Sequence, residues 1–164
     1  MLTQEQLKEI LHYCPETGIF TRKIKTSHKK VGQVFGCKGR AGYLSSSIDG
    51  KVYRNHRLVF LYMTGSFPLE QVDHINQVKH DNRWENLRDV TAGENLKNQS
   101  MQRRNTSGCT GVRWDEARQK WNAQISADGK MKCLGRFDCI DDAIKVRRAA
   151  EIKYGYHENH GLTV

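Results

Sequence analysis

An aspartate and a histidine stand side by side in Val72-Asp73-His74-Ile75, and asparagines follow at Asn86 and Asn95, twelve and then nine residues further on. These side-chain types suit hydrolysis of a phosphodiester. Such an ester is a resistant anion, so a water must lose a proton and the charge growing on the leaving oxygen must be offset. An imidazole with its ordinary pKa of about 6.5 is largely neutral near pH 7 and can take that proton, provided its other nitrogen is held. A carboxylate oxygen and a carboxamide oxygen are hard donors that suit Mg²⁺ or Mn²⁺, with waters and phosphate oxygens completing the shell. Taken singly, Asp and Asn near turns cap helices or bond locally. Here the joint spacing argues for a site.

Elements must bring these residues together. On a strand, Asp73 and His74 point to opposite faces, so a bend is needed to turn both to one cavity. Thr91 and Glu94 have capping-box spacing, which predicts a helix starting at Thr91 with Asn95 in its first turns. Upstream, Leu7, Ile10 and Leu11 predict a helix over residues 3–13, ended by the turn residues 14–18. Short runs at Gly42-Tyr43-Leu44 and Lys51-Val52-Tyr53, joined by Asp49-Gly50, predict a small antiparallel sheet. The apolar block from His56 to Thr64 predicts a helix packed on that sheet and ended near Gly65 and Pro68.

The stretch DHINQVKHDNRWENLRDVTAGENLKN resembles the HNH nucleases, especially their phage and intron-encoded branch with the D-H…N…N pattern. The resemblance covers about residues 54–99. It implies a ββα-metal fold, with His74 as general base, Asp73 and Asn95 as metal ligands, and Asn86 as a catalytic-site residue that fixes the loop. The last position is often histidine in the family; Asn95 matches a subgroup resembling single-strand nickases. The resemblance also implies 5′-phosphate and 3′-hydroxyl ends, and a phage-encoded protein acting in the cytoplasm of a bacterial host. His56, in Asn55-His56-Arg57, is expected to order the helix start or touch DNA phosphate. His80 is expected to be solvent-exposed, and His157 and His160 to belong to a frayed end.

Apolar residues nearly vanish in residues 100–106, which reads as a linker between a nuclease domain (1–99) and a second domain (107–164). Beyond it, runs at residues 111–114, 121–126 and 131–137, with an Asp128-Gly129 turn, predict a three-strand meander. Cys139, Ala143, Val146, Ala150 and Tyr154 share a helical face, with Asp138 placed to cap the start and Gly155 to end it. Gly111-Val112-Arg113, Trp121-Asn122-Ala123-Gln124-Ile125 and Leu134-Gly135-Arg136-Phe137 resemble the AP2 DNA-binding domain. The resemblance implies that Arg113, Gln124 and Ser126 face DNA, with Asn122 on the same strand face. Lys97, Arg103 and Arg104 at the junction could follow the phosphate backbone.

The balance of 27 Lys and Arg against 18 Asp and Glu, a formal charge of +9, fits double-stranded DNA as partner. No apolar run approaches the roughly 20 residues of a membrane span, and the first residues lack the apolar core of a signal peptide. Five scattered cysteines without a C-x-x-C pair read as reduced structural thiols. Together these features predict an α+β protein, a monomer with one active centre and no obligatory protein partner. The rival expectation is a non-catalytic DNA-binding or regulatory protein that keeps an HNH frame.

Overall fold

The chain divides into two units, Met1–Ala92 and Gly93–Val164, and a computed structural model describes residues 1–162. The division falls inside a short helix, ahead of the basic stretch 100–106.

In the first unit α1 (Gln4–Ile10) opens with a reciprocal cap: Gln6 N–H donates to Thr3 Oγ1 (3.3 Å) and Thr3 N–H to Gln6 Oε1 (3.0 Å). The helix expected over residues 3–13 is shorter, because the backbone becomes extended at Leu11 (φ −130°, ψ 149°) and enters β1 (Leu11–Cys14). The physical reason is a period of two: Leu11 and Tyr13 point inward and His12 outward. β1 pairs antiparallel with β2 (Ile19–Arg22). The turn between them needs Gly18, whose φ is +71° and whose missing Cβ would lie 2.4 Å from the backbone of Asn82 and Arg83.

A second sheet, in the order β3 (Cys37–Lys38), β4 (Leu44–Ile48), β5 (Lys51–Arg54), closes through Asp49 and Gly50 at φ +48° and +74°. This is the turn that an Asp-Gly pair predicts. α2 (Asn55–Thr64) follows at once and ends on Gly65 in the left-handed region, as expected. Its Leu58, Val59 and Leu61 join Leu7, Leu11 and Phe20 in one buried core. At its first residue, Asn55 accepts from Ser46 Oγ (2.6 Å) and donates to the Phe35 carbonyl (3.1 Å), tying helix to sheet. β6 (Gln71–His74) then pairs antiparallel with β7 (Leu87–Val90), and α3 (Ala92–Leu96) comes next. The fold is thus mixed α and β with small antiparallel sheets.

In the second unit β8 (Val112–Asp115), β9 (Lys120–Ala127) and β10 (Lys130–Phe137) form the expected meander, turning at Asp128 and Gly129. α4 (Ile140–Lys153) packs on it through Ala143, against Cys109, Val112 and Ala123. Three expectations need correction. Cys139, not Asp138, stands at the N-cap without a side-chain bond, and Asp138 pairs with Lys120 instead. The tail is not frayed: Met101 N–H donates to Leu162 O (2.9 Å), Gly161 N–H to Gln99 O (2.8 Å) and His157 N–H to Lys97 O (3.1 Å). His160 is buried because α4 buries Arg147, whose Nη2 lies 3.4 Å from both His160 Nε2 and Glu151 Oε1. Finally, of the five free thiols only Cys109 lies in a core, while Cys37, Cys133 and Cys139 are exposed.

Replacing Asn55 by Ala leaves a buried hydroxyl and a buried carbonyl unpaired, so the first unit should lose about 2 kcal/mol in urea unfolding. An unchanged midpoint would contradict the role given to this side chain.

Candidate functional site

His74 is 4% exposed and closes β6, with Leu87 as its cross-strand partner. Its Nε2 lies 3.1 Å from Asn82 Oδ1. An amide oxygen can only accept, so the neutral ring carries its hydrogen on Nε2 and its lone pair on Nδ1. Burial is the largest influence on this ring and lowers its pKa; the Asn82 bond and the carboxylates of Asp73 and Asp81 act in the opposite direction. Around it stand His56, with ring centroids 5.2 Å apart and edge-on, and Tyr43 at 5.8 Å. Two buried atoms in this cluster, His56 Nδ1 and Asn82 Nδ2, have no partner among the described residues. Such orphans mark a place where water or a ligand completes the network.

Asn82 is itself held from behind. The Tyr13 hydroxyl donates to its carbonyl (2.7 Å), and burial keeps that phenol protonated well above the ordinary tyrosine range. Trp84 N–H donates to Pro15 O (3.1 Å), and the bare Gly18 lets the β1–β2 turn press on the Asn82 backbone. Sequence reasoning missed Asn82 because His80-Asp81-Asn82 reads as a polar loop. The wish for a partner on the second imidazole nitrogen was the signal that could have found it.

Asp73 is also buried, and both Nε (2.9 Å) and Nη2 (2.6 Å) of Arg88 donate to its Oδ2. Arg88 is the residue directly opposite in β7. The bend expected between Asp73 and His74 is not in β6, whose register runs unbroken through His74; the chain turns just after it, where Gln77 takes φ +63°. Asn86 staples that turn: its Oδ1 accepts from Asn76 N (3.0 Å) and its Nδ2 donates to Asp81 O (2.8 Å). Asn95 lies in α3, in the second unit, half-buried. His56, expected to order the helix start or touch DNA phosphate, is buried at 8% exposure in the first turn of α2. His80 is exposed, as expected.

The first unit supplies one buried carboxylate, Asp73 held by Arg88, next in sequence to the His74 imidazole but on the alternate face of an unbroken strand. That fits a hard divalent cation that keeps most of its water and binds through one or two protein oxygens plus substrate phosphate. It does not suit a closed cage, since among the described residues no three His, Cys, Asp or Glu side chains group together.

In the second unit Arg113, Gln124 and Ser126 line a groove of about 490 Å³, with Arg104 also on its wall. Arg113, Ser126, Arg103 and Arg104 are exposed. Asn122 is buried and accepts from the Cys133 thiol (3.6 Å), while Lys97 donates to Tyr154 O (2.8 Å) near the end of α4. A cation there complements the partial negative charge of a helix C-terminus.

Residues 53–97 match the family model of HNH endonucleases, and that match implies nuclease activity on DNA. It takes in His56, Asp73, His74, Asn82, Asn86 and Asn95. Neither a curated protein nor a solved structure matches the chain.

Burial, aided by the neighbouring His74, lowers the His56 pKa to about 3. In the unfolded chain this ring takes its proton near 6.5, as an ordinary histidine does. Its contribution to stability is therefore full above pH 6.5 and is lost as pH falls toward 3, by about 1.4 kcal/mol per pH unit. The urea midpoint of the first unit should drop between pH 6.5 and 4.5, and His56→Phe should flatten that drop. A slope unaltered by the substitution would show that the fold does not lower the His56 pKa.

Proposed function

We propose that this chain is a metal-dependent DNA endonuclease that nicks one strand per binding event, with His74 as general base. The observation that carries the proposal is a buried, neutral imidazole whose Nε2–H is held by Asn82, within the segment that matches HNH endonucleases. Asn82 orients the ring through Nε2, and Nδ1 is the nitrogen to which the proposal assigns the proton of the attacking water. Asn86 fixes the turn that carries Asn82. Asp73, steadied by Arg88, would offer a carboxylate oxygen to Mg²⁺ or Mn²⁺, and Asn95 is kept as the further ligand that the family resemblance assigns. A cation held there would supply the positive charge that offsets the charge growing on the leaving 3′ oxygen. Hydrolysis then leaves 5′-phosphate and 3′-hydroxyl ends. One base and one ligand set per monomer act on one strand at a time.

The second unit serves in this proposal as an AP2-like reader. Arg113, Gln124 and Ser126 offer donors and acceptors to base edges, and Arg103 and Arg104 offer charge to the backbone. Its support is the meander backed by one helix and the clustering of four of these side chains, Arg104, Arg113, Gln124 and Ser126, in one groove.

A supercoiled plasmid incubated with Mg²⁺ or Mn²⁺ should become relaxed circles. His74→Ala should slow this at least a hundredfold, since a positioned base contributes roughly 10²–10⁴-fold; equal rates would reject His74 as base. Because burial lowers the His74 pKa, its base form persists to lower pH than an ordinary histidine. The nicking rate should therefore hold as pH falls to about 6.5 and decline only below it. A rate already halved above pH 7 would contradict the buried, neutral ring.

A further inference from the structure

Tyr43 meets four side chains. Its ring centroid is 5.3 Å from that of His56 and 5.8 Å from that of His74, and both the Arg54 guanidinium and the Lys79 ammonium lie 5.3 Å from it. Each cation is thus one aromatic ring away from the proposed base. Both side chains are exposed, and among the described residues neither forms a salt bridge. Arg54 donates one bond, to Ser45 Oγ (2.9 Å), which leaves most of its fork to solvent. The surrounding sequence deepens the charge: between Glu16 and Asp49 there is no acidic residue, while Arg22, Lys23, Lys25, Lys29, Lys30, Lys38 and Arg40 all fall there.

Two like charges on one ring, neither in a salt bridge among the described residues, repel each other and do not help the fold. The electron-rich ring face offsets part of that repulsion and holds two long side chains in place before any partner arrives. The tight turn ahead of Tyr43 adds to this placement: Gly39 N–H donates to Tyr43 O (2.9 Å), and Gly42 N–H to Gly39 O (2.9 Å).

We propose that Arg54 and Lys79, held against the Tyr43 ring, form a clamp for the DNA phosphates that flank the one presented to His74. A strand advances about 3.4 Å per nucleotide, so phosphates one or two steps from the scissile one come within reach of cations one ring away from His74. The clamp gives the first unit its own hold on the backbone, apart from any reader in the second unit. It rests on the reading of this site as a DNA nuclease.

The test is the salt dependence of duplex binding by the full chain, measured in the His74→Ala background so that nothing is cut. Each phosphate contact contributes roughly 0.9 to the log–log slope. Arg54→Gln/Lys79→Gln should flatten the slope by up to about 1.8 and raise Kd about tenfold at 0.1 M salt. With His74 restored, the same pair should raise KM more than it lowers kcat. Lys8→Ala/Lys145→Ala removes the same charge elsewhere and should leave the slope unchanged. An unaltered slope in the Gln pair, or an equal flattening in the control, would overturn the clamp. If the parent fails to nick while the Gln pair flattens the slope as expected, the hydrolytic reading falls and the clamp stands.

Discussion

One hydrogen bond organises the first unit: the contact between His74 Nε2 and Asn82 Oδ1. A histidine at 4% exposure is worth little as a base if its ring can turn over or if the wrong nitrogen carries the hydrogen. Burial keeps it neutral, and a carboxamide oxygen selects the tautomer without adding a charge. The elements around it serve that contact. The β1–β2 hairpin presses on Asn82 through Gly18 and Tyr13, Asn86 pins the turn from the other side, and α2 brings His56 against the ring.

Much of this was legible in the sequence, and the exceptions have physical causes. The Asp-Gly turns, α2 and its Gly65 stop, and the meander with its helix follow from local chemistry, which one segment can declare alone. Leu11 was misread because an apolar residue there satisfies both a helical face and a strand face; the pairing of Leu11 with Arg22 and of Tyr13 with Phe20 decided the outcome. His160 looked like a solvated end because nothing nearby in sequence announces that Arg147, thirteen residues earlier, is buried and packs against it. The same limit applies to the candidate site. Spacing singled out Asp73, His74, Asn86 and Asn95, whereas Asn82, Arg88 and Tyr43 act through contacts that only the fold creates.

Charge is arranged differently in the two units. In the first, the buried carboxylate of Asp73 is matched by Arg88, while the acid-free stretch between Glu16 and Asp49 stays uncompensated. In the second, cations are partly drawn into the fold, with Arg147 bonded to Thr110 O and Lys97 to Tyr154 O. That leaves Arg103, Arg104 and Arg113 outward. A formal charge of +9 therefore overstates the charge open to a polyanion in one place and understates its concentration in another.

The state of His74 is the point on which the hydrolytic account turns, and ¹⁵N-imidazole NMR across pH 4–8 reads it directly. The account predicts a His74 resonance pair of the Nε2–H tautomer, with a midpoint below 6.5. A ring that titrates at or above 6.5, or that carries its hydrogen on Nδ1, would contradict it.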